Sequence, residues 1–276
     1  PPDARWRARF PAFESAHLAA PRACRALLPA GFTHGDAARA LLLHDGQNVF
    51  HPDSPFGGWR VDEAVGAPGY EDVIVLAVDN APDRMSAYTH VPDRIGGGVT
   101  GGRAEDYLQL IEAEALPFFR ARYGVAAAGD ALVIGGSSLG GLVSLYAAQS
   151  RPSLARCVIA MSSTLGWGAF DPAADGSDAL VHRWTTRGAT AVYLDSGGSG
   201  TCGDPDGDGV FEDSDDRDNF CVTNQLRDHF ESLGYTHGAD LFHWHEAGAG
   251  HNEAAWAARI SRGLASCASA GWSVPS

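Results

Sequence analysis

The sequence predicts a mixed α/β fold, a mostly parallel sheet with helices on both faces. Three observations predict it. Short apolar runs alternate with stretches of helical spacing along nearly all of the 276 residues. One run, Val73-Ile74-Val75-Leu76-Ala77-Val78, is apolar throughout, as a central strand buried on both faces requires. Another, Leu132-Val133-Ile134, leads through Gly136-Ser137-Ser138-Leu139-Gly140 into an apolar stretch with helical spacing. That is G-x-S-x-G at a strand-to-helix turn, the setting in which the pattern has chemical meaning. No repeat and no linker divides the chain. One domain over residues 1–276 is expected, with an acidic insertion at about 199–221.

Residues 1–21 are rich in Arg, Ala and Pro and show no firm pattern. Arg22 to Leu28 reads as a strand closed by the turn Pro29-Ala30-Gly31, and Ala40 to Leu43 as the next, entering His44-Asp45-Gly46-Gln47-Asn48. Trp59 to Ala64 looks like the start of a helix. After the strand 73–78, a polar loop rich in Pro and Gly, roughly 79–102, is placed to wall a cleft. Tyr107, Leu108, Ile111, Ala115, Phe118 and Phe119 mark a helix over 104–124. Beyond the G-x-S-x-G turn come strands at Cys157 to Met161 and Ala191 to Leu194. A helix at about 220–233, a strand from Asp240 to His245, and a last helix after Gly250-His251-Asn252-Glu253 complete the chain.

Formal net charge is −14, and all twenty basic residues are arginine. That balance argues against nucleic acid and acidic membrane surfaces as partners. No apolar run is long enough to span a membrane. The chain begins at Pro1 and shows no signal peptide, which leaves room for a leader removed earlier. Of the five cysteines, Cys202 and Cys221 bracket the acidic segment, where a disulfide would be useful and would imply a secreted or periplasmic protein. Cys157, in an apolar run, reads as an inert buried thiol; Cys24 and Cys267 are left as a pair or as free thiols.

Within the turn, small residues at Gly136 and Gly140 would let strand and helix close around Ser138, whose backbone must be strained. The turn would leave Ser138 Oγ exposed at a helix N-terminus, where free N–H groups favour developing negative charge. Ser137 falls in the variable position of the pattern.

Together, 41-LLLHDGQNVF-50, 73-VIVLAVDN-80, 132-LVIGGSSLGGLVSLYAA-148 and 250-GHNEAAWAAR-259 resemble the esterase branch of the α/β-hydrolase superfamily. That branch includes feruloyl and acetyl-xylan esterases, enterochelin-type esterases and secreted mycolyltransferases. The pieces occur in the family's order over nearly the whole chain. The resemblance implies an α/β-hydrolase fold and a triad in the order serine, acid, histidine. Ser138 would be the nucleophile. His251, within the family's G-H-x-x-x-x-W pattern as Gly250, His251 and Trp256, would be the base. His243 and His245 look like ordinary strand positions, and His44, at a strand end, is placed to border the cleft. Three residues compete as the acid. Asp195 comes earlier than the family's acid, and Asp204 falls at about the right distance after the strand but in a loop with another use. Asp218 is preferred: it stands just before the helix carrying Leu226, Phe230 and Leu233, at or beside the acid position of the resembling feruloyl esterases. It could also cap that helix. The resemblance places the oxyanion donors at the main-chain N–H groups of Leu139 and Gln47.

The insertion departs from the family. In 204-DPDGDGVFEDSD-215, Asp204, Asp206 and Asp208 take positions 1, 3 and 5 of a calcium loop and Gly209 position 6. The Val210 carbonyl, Glu212 and Asp215 would follow at 7, 9 and 12. A structural calcium ion is expected, and no organic cofactor. The chain reads as a secreted serine carboxylic-ester hydrolase acting on a small-molecule or saccharide-linked ester. Two alternatives are acyl transfer to an alcohol and a non-catalytic, calcium-dependent binding protein on a hydrolase scaffold.

Overall fold

The computed structural model describes residues 6–50, 54, 56–214 and 218–274. Its main sheet has the strands β1 (Trp6–Phe13), β2 (Arg22–Leu28), β3 (Arg39–His44), β4 (Val73–Val78), β7 (Gly129–Ser137), β8 (Ala155–Met161), β9 (Ala191–Ser196) and β12 (Leu241–His245). Their spatial order is β1-β2-β4-β3-β7-β8-β9-β12. From β4 to β12 every pairing is parallel, while β2 runs antiparallel to both β1 and β4. Two small hairpins stand apart: β5 (Pro92–Ile95) with β6 (Gly98–Gly101), and β10 (Cys202–Gly203) with β11 (Glu212–Asp213). The helices are α1 (Val61–Ala64), α2 (Arg84–Ala87), α3 (Ala104–Gln109), α4 (Leu116–Tyr123), α5 (Leu139–Ser150), α6 (Leu180–Arg183), α7 (Phe220–Ser232) and α8 (Glu253–Ser269).

Side-chain alternation on the strands divides the core into two layers. Along β3, Ala40 and Leu42 join Tyr107, Phe119, Leu142 and Phe230 from α3, α4, α5 and α7. Leu41 and Leu43 join Val61, Trp256, Ile260 and Leu264 from α1 and α8 on the other face. A parallel sheet covered twice needs apolar residues at both parities, which is why these strands read as continuous apolar runs.

Three expectations are corrected. Residues 6–13 form an antiparallel edge strand, with Ala8 and Phe10 packed on the core and Arg7 and Arg9 facing water. The helix over 104–124 is interrupted by a π-helical turn at Leu110–Ala115. Pro117, in the first turn of α4, has no N–H to give the preceding turn, so the wider turn accommodates it. Cys157 is no free thiol: it bonds to Cys267, tying β8 to α8 across 110 residues of sequence. Cys24 is the buried free cysteine, its pKa pushed up to about 12 by burial and then by Asp79.

Candidate active site

The end of β7 and the start of α5 meet at Ser138, whose backbone sits at φ 57° and ψ −127°. A side chain there is strained, and the surrounding packing enforces it. Ser138 N–H donates to the Met161 carbonyl at 2.9 Å, and its own carbonyl accepts from Leu142 at 3.1 Å. A methyl group at Gly136 would run into the backbone of Gly140, so no larger residue fits. Gly140 is less confined, with His44 Cβ and Asp45 Oδ2 at 3.4 and 3.3 Å from a Cβ there; Gly141 is pressed harder, against Ser163 Oγ. Ser137 is buried in β7, whereas Ser138 is part-exposed and its Oγ lies 3.2 Å from Thr164 Oγ1.

His251 lies between β12 and α8, in a loop whose next residue, Asn252, caps α8 by accepting from Ala255 N–H at 3.1 Å. Its Nδ1 is 2.7 Å from Asp218 Oδ1; the imidazole is one-third exposed (33 %) and the carboxylate fully enclosed (0 %). Asp218 Oδ2 accepts from Ser162 Oγ at 2.7 Å and from the Gly197 N–H. The spacing from His251 to Trp256 has a physical purpose. Trp256 sets its ring edge-on to the imidazole, with centroids 5.1 Å apart, and donates its indole N–H to Ser162 Oγ at 3.0 Å. One aromatic residue thus steadies both the histidine and the hydroxyl that holds its acid partner.

The other candidate acids have different partners. Asp195, at the end of β9, is buried; it accepts from Tyr193 OH at 3.0 Å and pairs with Arg259 at 3.1 Å. Burial raises its pKa to about 6, an effect that Arg259 opposes. Asp204 accepts from the N–H groups of Gly207 and Gly209, at 2.9 and 3.1 Å, within the insertion. Asp218 is not the cap of α7. Asp213 takes that place, accepting from Phe220 and Cys221 N–H at 2.8 and 2.6 Å. His44 does not border the cleft: it is fully buried beneath the turn, 2.8 Å from Tyr107 OH, with its pKa lowered to about 4 by burial.

Leu139 opens α5, so its N–H has no intrahelical acceptor. Gln47 lies in the 3₁₀ turn Gly46–Asn48, and its side chain accepts from Asn80 N–H at 3.0 Å, pinning the turn to the end of β4. Gly46 is closely packed: a Cβ there would lie 2.7 Å from Asp79 Oδ1 and 3.0 Å from the Val78 carbonyl carbon. A cleft of about 450 Å³ opens at Ser138, lined among others by Asp45, Asn48, Trp59, Arg84 and Trp256. The segment after β4, expected as a loop, carries α2 and the β5–β6 hairpin; its Asn80, Ala81 and Arg84 wall the cleft, with Arg84 clamped on Asp45 by two bonds of 2.8 Å.

In the insertion, Cys202 is bonded to Cys221. Asp204, Asp206 and Asp208 offer carboxylate oxygens within 4.8 Å of one another. Burial, then the charges of Asp206 and Asp204, raise the pKa of Asp208. Glu212 sits on β11 outside that group of three, Val210 donates its N–H to Asp208 at 2.8 Å, and Asp215 lies outside the described residues.

Sequence reasoning missed Ser162, Thr164 and Arg259. The first two follow the end of β8, and carboxyl ends of parallel strands are where sites form. Arg259 was a charge on an otherwise apolar helix face, beside Trp256, Ile260 and Leu264.

This is an α/β-hydrolase fold, with the strained serine at its central strand-to-helix turn and the histidine on the last loop. The chain belongs to the esterase family, whose model matches residues 15–267. It is a carboxylic ester hydrolase. A ferulic acid esterase superposes with a TM-score of 0.64 at 16% identity, over 94% of this chain and 96% of that one. The enterobactin esterase of Shigella flexneri gives 0.67 at 16%, over 97% of this chain and 60% of that one. An IroE-like serine hydrolase from Shewanella oneidensis gives 0.65 at 18%, over 95% and 79%. No curated protein sequence matches the chain.

Proposed function

We propose that Ser138, His251 and Asp218 are the triad of a serine esterase working through an acyl-enzyme. The observation that carries this reading is the 2.7 Å contact between His251 Nδ1 and the buried Asp218 carboxylate, on the same sheet end as a strained, part-exposed serine. In the reaction, Ser138 Oγ attacks the ester carbonyl as its proton passes to His251 Nε2. Asp218 holds the Nδ1–H tautomer and stabilises the imidazolium. The Leu139 and Gln47 N–H groups receive the oxyanion, and each such donor contributes about 3 kcal/mol to the transition state. His251 then protonates the departing alcohol, and water, deprotonated by the same histidine, releases the acid.

The substrate is a small-molecule or saccharide-linked ester. The cleft supports this: two indoles, Trp59 and Trp256, line it together with the polar residues Asp45, Asn48 and Arg84. Transfer to an alcohol differs only in the acceptor, and relative rates with water and alcohols separate the two. A structural calcium ion is proposed at Asp204, Asp206 and Asp208, whose converging carboxylates suit a hard cation with oxygen ligands. Two disulfides favour an extracellular or periplasmic setting. Among the described residues no helix is long and apolar enough to cross a membrane.

The test is Ser138→Ala against p-nitrophenyl, feruloyl and acetylated-sugar esters. Hydrolysis should fall by about 10⁴-fold or more with the melting temperature retained. A variant that keeps wild-type rates refutes the assignment.

A further inference from the structure

Beneath the proposed triad lies a second ionic group that the ester chemistry does not use. Arg259 reaches in from α8 and places Nη2 3.1 Å from Asp195 Oδ1 and 3.5 Å from Asp218 Oδ2. Ser162 is the strut between them. Its Oγ accepts from Arg259 at 2.7 Å and from Trp256 at 3.0 Å, and donates to Asp218 at 2.7 Å. Its main chain is held as firmly: the N–H donates to the Asp195 carbonyl at 2.8 Å, and the carbonyl accepts from Asn219 Nδ2 at 3.2 Å. Ser162 adopts φ 44°, a left-handed conformation that is unfavourable for serine. Asp195, Ser162, Arg259 and Asp218 are all at most 2 % exposed.

Two buried carboxylates and one guanidinium are costly to assemble, and apolar residues of equal volume would commonly be more stable. Their arrangement has a chemical use. Arg259 sits against the Asp218 carboxylate, and an uncancelled positive charge there would oppose an imidazolium on His251. Asp195 cancels it.

We propose that Asp195 and Arg259 are positioning residues that set the charge felt by the Asp218–His251 pair, and so the pH at which ester hydrolysis fails on the acid side. This rests on the reading of Ser138, His251 and Asp218 as the triad.

Among the described residues, other charged or titratable groups lie around the pair. On β9, Tyr193 donates to Asp195 Oδ2; Arg262 of α8 acts on Tyr193 through space and lies over Trp244, the β12 neighbour of Asp195. His245 of β12 is turned to the Gly198 carbonyl at 3.1 Å and stacks on Phe220.

The experiment is kcat/KM for p-nitrophenyl acetate from about pH 4.5 to about pH 8.5. The proteins are wild type, Asp195→Asn, Tyr193→Phe and the double variant Asp195→Asn/Arg259→Met. Loss of the Asp195 charge disfavours the imidazolium, so the acid limb of Asp195→Asn should move down by about one pH unit. Tyr193→Phe removes a donor to the Asp195 carboxylate and should produce a smaller shift in the same direction. The double variant removes the uncancelled guanidinium as well, and its limb should return towards wild type. A purely structural role would lower melting temperatures and leave the limbs superimposed, which overturns the proposal, as does an upward shift. Labelling of Ser138 by an alkylphosphonate separates the two readings. Wild type that fails to label at Ser138 refutes the triad, whereas labelled variants with unmoved limbs refute only the role of Asp195 and Arg259. If Asp195→Asn does not fold, Tyr193→Phe decides.

Discussion

At Ser138 and Ser162 two serines hold backbone conformations that serine seldom adopts, at φ 57° and φ 44°. Each donates its N–H to the carbonyl of a neighbouring strand end, Met161 for Ser138 and Asp195 for Ser162. Strain of this kind, of order 1–3 kcal/mol per residue, persists where packing over-determines the site. The same scale distinguishes the acids. Asp218 meets His251, whereas Asp195 meets Tyr193 and Arg259. Asp218→Asn should therefore lower kcat far more than Asp195→Asn, because the acid fixes the imidazole tautomer; the corresponding loss in a serine protease is about 10⁴-fold. Steady-state kinetics at saturating calcium would check this, and an active Asp218→Asn beside an inactive Asp195→Asn would reverse the assignment. The positions of Ser138 on the strand-to-helix turn and of His251 on the terminal loop were legible because local patterns specify both. Ser162 and Arg259 were not, because they act through contacts 97 residues apart, which no local spacing encodes.

Among the elements, the insertion between β9 and α7 is the one with a separable contribution. Its disulfide closes a 19-residue separation, and Asp213 caps α7, whose first residue, Phe220, follows closely on Asp218. If calcium binds Asp204, Asp206 and Asp208, it offsets their mutual repulsion and orders the loop that delivers Asp218. Chelation should then lower both kcat and the melting temperature, with calcium restoring them and magnesium substituting poorly because it demands tighter octahedral geometry. At a hundredfold its Kd, the ion would add about 2.7 kcal/mol. Thermal unfolding and activity across a calcium titration check this; unchanged values, with no metal by elemental analysis, would leave a plain acidic loop. Parallel strands and long helices were readable from apolar runs and period. The edge strand β1 was readable in principle, since Trp6-Arg7-Ala8-Arg9-Phe10 alternates, but Pro11 and the absence of turn signals obscured it. Nothing local distinguishes a buried thiol from half of a disulfide, so Cys157 could be paired only once β8 and α8 were adjacent.

The molecule as a whole buries groups whose protonation opposes one another. His44 stays neutral when folded until about pH 4, but protonates near 6.5 in an unfolded chain. Stability from this source is lost as pH falls through that interval, to a total of about 3 kcal/mol. His243, lowered by burial to about 4, acts in the same sense. Asp195 acts in the opposite sense, because the folded protein takes up its proton near pH 6 and the unfolded chain only near 4. Among the large shifts, two histidines against one carboxyl leave net destabilisation. The melting temperature should fall between about pH 6.5 and about pH 4.5. His44→Gln should flatten that fall, as calorimetry across the interval would show; an equal or steeper slope would contradict the account. The Cys157–Cys267 bond adds on the order of 4–5 kcal/mol in the chain-entropy view, so these tests belong under non-reducing conditions.

The central claim is that a nucleophile at Ser138 forms a covalent intermediate. It is tested most directly by treating the native protein with an alkylphosphonate and locating the adduct by peptide mass spectrometry. One adduct is expected, on Ser138, formed at a rate that collapses in Asp218→Asn and with complete loss of esterase activity. An adduct on Ser137 or Thr164, or full activity with no adduct at all, would contradict it.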